Sequence, residues 1–238
     1  MDDHADLSDI DFSDDYPDLS EIDFSILTIR WRQLALWEGD QFLGMQGMNI
    51  GITDQIITRW EYALLREYLQ LEKTPGDSVM ALSAFSQMWL FAVYEAMRLW
   101  RERFYKCRKW HDSGGLNKVI ENLDCKDELH PSKRLKKRQL GRYRDDENFR
   151  NRIAREWALF ETVYQTVELL RMNLAKHAAP GKESVVPRAP GYARINRHCG
   201  TLDFEVIDKD GAYLITNRRD VAEGLRAAFI SLKASTVD

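Results

Sequence analysis

The chain has 238 residues and a mass of 27.8 kDa; 44% of the residues are hydrophobic and 30% charged, with 13 Gly and 6 Pro. This suits one large domain or two small ones and excludes collagen-like and wholly disordered chains. The net charge of −4 conceals an asymmetry, because residues 1–24 carry ten acids and no Lys or Arg, leaving 34 basic against 28 acidic residues in the remainder.

That acidic leader contains a near-repeat: Asp6-Leu7-Ser8-Asp9-Ile10-Asp11-Phe12 recurs as Asp18-Leu19-Ser20-Glu21-Ile22-Asp23-Phe24. Its like charges repel, so residues 1–24 are expected to be flexible unless a surface receives them. Leu7, Ile10, Phe12, Leu19, Ile22 and Phe24 supply apolar anchors for docking on the chain's own basic face or on a partner protein.

Residues 25–180 are expected to form a helical bundle. Leu27, Ile29 and Trp31 alternate with Thr28, Arg30 and Arg32, which suggests a short strand; Gly44, Gly47 and Gly51 then suggest a loop. Thr53 is the expected N-cap of a first long helix that runs to about Lys73 and stops at Pro75-Gly76. The second carries one stripe, Val79, Leu82, Phe85, Trp89, Val93, Met97, Trp100 and Phe104. Residues 78–94 hold no charge, so a membrane span must be weighed. Ser83, Ser86 and Gln87 interrupt the run, and Glu95 and Arg98 follow it, which favours a central bundle helix and no membrane. Glu95 and Arg98, three apart, are expected to form a structural ion pair.

Residues 109–148 read as a loop or insertion, marked by Gly114-Gly115, Pro131 and the run Lys133, Arg134, Lys136, Lys137 and Arg138. Residues 101–155 hold 17 basic and 9 acidic side chains. Such a surplus suits a polyanion, and the basic run supplies the candidate RNA-binding residues. A third long helix follows from about Asp146 and ends near residues 175–178, before Pro180-Gly181. In residues 181–238 a loop leads to a hairpin, Leu202–Val206 and Ala212–Thr216 joined through Asp208-Lys209-Asp210-Gly211, and Asn217 caps a terminal helix. The expected fold is mainly α: an up-and-down helical bundle with a small C-terminal β-hairpin and a terminal helix.

Cys107, Cys125 and Cys199 are too few and too scattered for a disulfide framework, and the acidic start lacks the basic region of a signal peptide. A reduced, cytoplasmic protein is expected. There is no phosphate-binding loop, dinucleotide fingerprint, His-Glu-x-x-His or nucleophile elbow. Cys107-x3-His111 and Cys125-x4-His130 lack the tight Cys-x2-Cys knuckles of structural zinc, so neither a metal nor a cofactor is expected.

The cluster with chemical promise is Arg171-Met172-Asn173-Leu174-Ala175-Lys176-His177, at the end of the third long helix. Asn173 and His177 are four apart and share a face. A His moves protons near neutrality, and an Arg holds phosphate in a bidentate grip; a metal-free ribonuclease needs both. Here the sequence resembles the HEPN superfamily over roughly residues 53–180. The resemblance rests on the helical architecture and on an Arg followed by His within the permitted spacing at a late helix end. Met172 stands where that family usually has a polar residue, and Asn173 comes one later. The resemblance implies a metal-independent endoribonuclease of a defence or toxin–antitoxin system, acting as a homodimer. His177 would be the acid/base, Arg171 the phosphate binder, and Asn173 their companion. Many HEPN-like proteins are inactive binding partners. The alternative is accordingly a non-catalytic interaction protein that assembles with itself or a partner through its acidic leader and basic face.

Overall fold

Asp40 and Asp146 each accept a hydrogen bond from the backbone N–H three residues on, Leu43 at 3.1 Å and Phe149 at 3.0 Å, and so open two of the long helices. The structure, a computed structural model, describes residues 16–123, 131–189 and 191–234. A short helix α1 (Ser25–Ile29) and a 3-10 turn (Arg30–Gln33) lead into α2 (Gln41–Leu71) and α3 (Gly76–Asp112). Then come α4 (Leu116–Asn122), α5 (Pro131–Asp145), α6 (Glu147–Lys176), strands β1 (Ala193–Ile195), β2 (Leu202–Ile207) and β3 (Tyr213–Asn217), and α7 (Arg218–Ala234). The protein is mainly α, with α3 packed against both α2 and α6.

Residues 26–50 depart from the sequence expectation. The segment read as a strand is α1 and the 3-10 turn, and the glycines read as a loop lie inside α2, which starts at Gln41 and not at Thr53. The reason is packing. Gly44, Gly47 and Gly51 share one face of α2, and the preceding segment lies directly on them. A Cβ at Gly47 would sit 2.5 Å from the Trp31 side chain, and one at Gly51 would sit 2.4 Å from the Thr28 nitrogen. The helix tolerates three glycines because that close approach needs them.

The second correction concerns residues 109–148, which are mostly helical: the end of α3, then α4, α5 and the start of α6. The basic run is one face of α5, held down by Leu140 and Tyr143, both buried. Gln139 donates to the Leu36 carbonyl at 3.2 Å.

The terminal region follows the sequence pattern, with β1 added at its edge. The sheet runs β1-β2-β3, antiparallel throughout. Asp208 turns the hairpin by accepting from the N–H groups of Asp210 and Ala212, and Gly211 supplies the positive φ. Asn217 and Asp220 cap α7 reciprocally, each side chain accepting from the other's backbone N–H at 3.0 Å. Leu202, Phe204 and Val206 turn the inner face of β2 into the core. An aromatic chain of Trp31, Phe229 and Phe160 joins the α1 region to α7 and α6.

α3 is long and apolar enough to cross a membrane by length and composition. In this structure Leu82, Trp89, Leu90, Val93, Met97, Trp100 and Phe104 bury one side of it within the bundle.

Candidate functional site

α6 brings its three candidate residues to one helix end but gives them different surroundings. Arg171 lies over the Tyr94 ring of α3, 5.1 Å from its centroid, and its Nη1 reaches the Met172 sulfur at 3.4 Å. Tyr94 stacks on Tyr164, whose hydroxyl donates to Glu168 at 2.7 Å. Burial, reinforced by the Glu168 carboxylate, raises the Tyr164 pKa and keeps that proton in place. Asn173 is buried. Its Nδ2 donates to the carbonyls of Leu169 and Ile207 at 2.9 and 3.0 Å, and its Oδ1 accepts the Ile207 N–H at 2.9 Å. Both ends of the amide are thus engaged in pinning α6 to the end of β2. His177 ends the helix in the left-handed conformation, at φ 53°, and is exposed. An ideal helix turns about 240° over the six residues from Arg171 to His177, so one chain does not aim the two at a common point.

The Glu95–Arg98 pair forms at 2.8 Å and extends through Glu102 to Lys106. The two side chains are 43% and 35% exposed, so the ladder stiffens the surface of α3 without tying the bundle together.

α5 presents the strongest cationic surface. Lys133, Arg134, Lys136 and Arg138 are exposed on it, with Lys137 half-buried. Arg142 and Arg144 are paired with acids, the former with Glu38 and Asp146, the latter with Asp145. Among the described residues no acid pairs with Lys133, Arg134, Lys136 or Arg138. Lys136 lies over the Trp110 ring at 5.7 Å. Beneath them, between α3 and α5, is a cleft of about 460 Å³ with an apolar floor that includes Leu99 and Leu140.

The second leader repeat docks, but elsewhere. The Tyr16 hydroxyl donates to Asp220 at 2.7 Å, the Tyr62 hydroxyl donates to the Pro17 carbonyl at 2.7 Å, Ile22 is buried, and Phe24 lies under Arg226. Residues 16–24 therefore rest on α2 and α7 and leave α5 uncovered. The first repeat, Asp6–Phe12, lies outside the described residues, as do Cys125 and His130. Among the described residues no cluster of three or more His, Cys, Asp or Glu is placed to hold a metal.

One polar constellation escaped the sequence reading. Asp54, Thr58 and Glu61 of α2 meet Arg218, Arg219 and Arg226 of α7 with Glu223, and every one of them but Glu223 is buried. Arg218 donates to Glu61 through Nε at 2.8 Å and Nη2 at 2.7 Å, to Thr58 at 2.8 Å, and to Asp54. Its guanidinium lies 5.1 Å over the Trp89 ring. Arg226 bonds Asp54 and Glu223, and Arg219 lies 3.3 Å from Glu223 and 3.7 Å from Glu61. Burial alone would lower the Arg218 pKa; the Glu61 and Asp54 carboxylates outweigh that and raise it, so the cation persists. Three arginines against three carboxylates balance the charge. The signal in sequence was a polar stripe at helical spacing, Asp54, Thr58 and Glu61, beside the apolar Ile57 and Leu64.

No protein-family model, curated protein or solved structure matches this chain.

Proposed function

We propose that the protein is a non-catalytic, HEPN-like binding protein that takes RNA on the face of α5. The observation that carries this reading is the set of four exposed cations, Lys133, Arg134, Lys136 and Arg138, with which no acid pairs among the described residues. Unpaired cations on a rigid helix release counterions from a phosphate backbone without first breaking internal ion pairs. The cleft below, with Trp110 in its wall, offers an aromatic surface to an unstacked base. The end of α6 supports binding over cleavage: Arg171 is stacked on Tyr94 and Asn173 is consumed by the sheet. One observation favours the ribonuclease reading, namely that His177 is exposed and that among the described residues no side-chain hydrogen bond holds it.

A single experiment separates the two. Single-stranded RNA is titrated with the wild type and with the charge-reversed variant K133E/R134E/K136E/R138E. The variant is expected to bind more than tenfold more weakly at low salt. Losing four phosphate contacts should also flatten the slope of log K against log salt by about 3. Equal affinity of the two proteins overturns the proposal. RNA incubated with wild type and chelator is expected to stay intact. Chelator-resistant cleavage that His177→Ala abolishes would establish the ribonuclease instead.

A further inference from the structure

The most unusual surface of the molecule is apolar. Along α2, Phe42, Met45, Ile52 and Ile56 are 78, 53, 44 and 59% exposed, and along α3 Phe85 and Met88 are 46 and 65% exposed. Their spacing puts each set on one side of its helix. The two helices are antiparallel neighbours: the Trp60 and Phe85 rings are 5.5 Å apart, and the Trp89 indole donates to the Ile50 carbonyl at 2.9 Å. The two rows therefore form one continuous face across the seam. It is also poor in charge. Residues 41–58 contain a single ionisable side chain, Asp54, which is buried against α7, and residues 78–94 contain none.

We propose that this α2–α3 face is where two copies of the chain join. Three considerations select a second copy as the occupant. The first is area. At roughly 100 Å² per half-exposed large side chain, the six residues present on the order of 600 Å². Asn49 and Ala84, also exposed on this side, bring the face toward the roughly 800 Å² that each partner contributes to a standard interface. This lies at the upper end of the largest apolar patch that a monomer ordinarily leaves in water, and such patches often mark an interaction site. The second is charge. A twofold interface sets each patch against its own copy, so a formal charge near the axis would meet its like. Between residues 41 and 58 and between 78 and 94 no charge is exposed, and Arg59 and Glu95 stand only at the borders of these stretches. The third is the rim. A helix lying on a membrane carries several Lys and Arg along its polar edge, whereas the edge of α2 here is Gln41, Gln46 and Gln55, which can pair with themselves, with Arg59 as a single cation beyond them.

The geometry has a bearing on the α6 end. Tyr94, which holds Arg171, is nine residues from Phe85 and so about 180° around α3. A dimer joined through Phe85 and Met88 leaves the two Arg171 side chains on its outer flanks. The proposal stands whether or not α5 binds RNA.

The test is the solution mass of the full-length chain by sedimentation and light scattering, for wild type, Ile56→Glu, Met88→Glu and the control Ile215→Glu. Ile215 is 69% exposed on β3, away from the seam. Expected are a wild-type dimer of twice 27.8 kDa at 10 µM, the same for the control, and monomers for the two α2–α3 variants. In those two the dimer dissociation constant should rise at least a hundredfold, with an unchanged far-ultraviolet spectrum. A monomeric wild type at 100 µM overturns the proposal, as does a dimer that survives both substitutions or one that only the control disrupts. A monomer that sediments with phosphatidylglycerol vesicles and loses this ability in Met88→Glu also overturns it, assigning the face to lipid.

Discussion

Arg218 shows how much one side chain carries here. It spends its guanidinium on two carboxylates and a threonine hydroxyl, all of them buried, and lies over Trp89. Replacing it with Met keeps much of the volume but strands Asp54 and Glu61 without their main counter-charge. Breaking one partner of a buried pair costs about 3–5 kcal/mol. Arg218→Met should therefore shift the urea midpoint far downward, and adding Asp54→Asn and Glu61→Gln should recover part of the loss. An unchanged midpoint for the single variant would mean that water reaches the network. This constellation was hidden in the sequence because its halves lie 164 residues apart, and an Arg pair after a hairpin reads as a solvated helix start. Asn173 was legible as special, being polar on the face shared with Leu170 and Leu174. The direction of its hydrogen bonds, toward Ile207, is set by a strand 34 residues further on.

At the scale of elements, glycine behaves in opposite ways in two helices. An exposed glycine in a helix normally gains about 1 kcal/mol on replacement by Ala. Gly141 in α5 has nothing within 4 Å of an added Cβ, so Gly141→Ala should raise the melting temperature. Gly51 in α2 would drive a Cβ into the backbone of Leu27 and Thr28, so Gly51→Ala should cost about 1–3 kcal/mol. Calorimetry on both variants checks the pair of signs. The same contrast explains which elements could be read in advance. α6 and the hairpin announced themselves through periodic apolar residues and through Asp146, Asp208 and Gly211, each a local cause with a local effect. The start of α2 did not, because its glycines serve a neighbouring segment and not the helix itself. α5 was missed for a different reason: seven basic residues mask the few apolar anchors, Leu135, Leu140 and Tyr143, that make it a helix against the bundle.

For the molecule as a whole, stability should fall on the alkaline side. Burial pushes the Cys107 thiol up to about 11 and the Cys199 thiol up to about 12, from an ordinary value of 9.0. A raised folded pKa contributes stability that is fully present below about pH 9 and is lost as the pH climbs through the folded values. For Cys107 a rise of two units is worth about 3 kcal/mol at most. Denaturant midpoints measured from pH 8 to 11 should decline in wild type and decline less steeply in Cys107→Ala, whose value at pH 8 starts lower because of the cavity. Parallel curves would show that the thiolate is no harder to form inside the protein than outside. The cationic α5 and the sparsely charged α2–α3 face divide the surface between them, one suited to a phosphate backbone and the other to a copy of itself.

The network between α2 and α7 has a further consequence for how the chain is made. Asp54 and Glu61 emerge from the ribosome long before Arg218 and Arg226. Until α7 arrives, the stripe of α2 that belongs inside the bundle carries two carboxylates that hold water to themselves. The early helices can form and touch, but the side of α2 that awaits α7 cannot dry out. A polypeptide broken off anywhere before residue 218 keeps that side wet and open to proteases. The last helix thus acts as a seal that only a chain translated at least to residue 226 can supply in full.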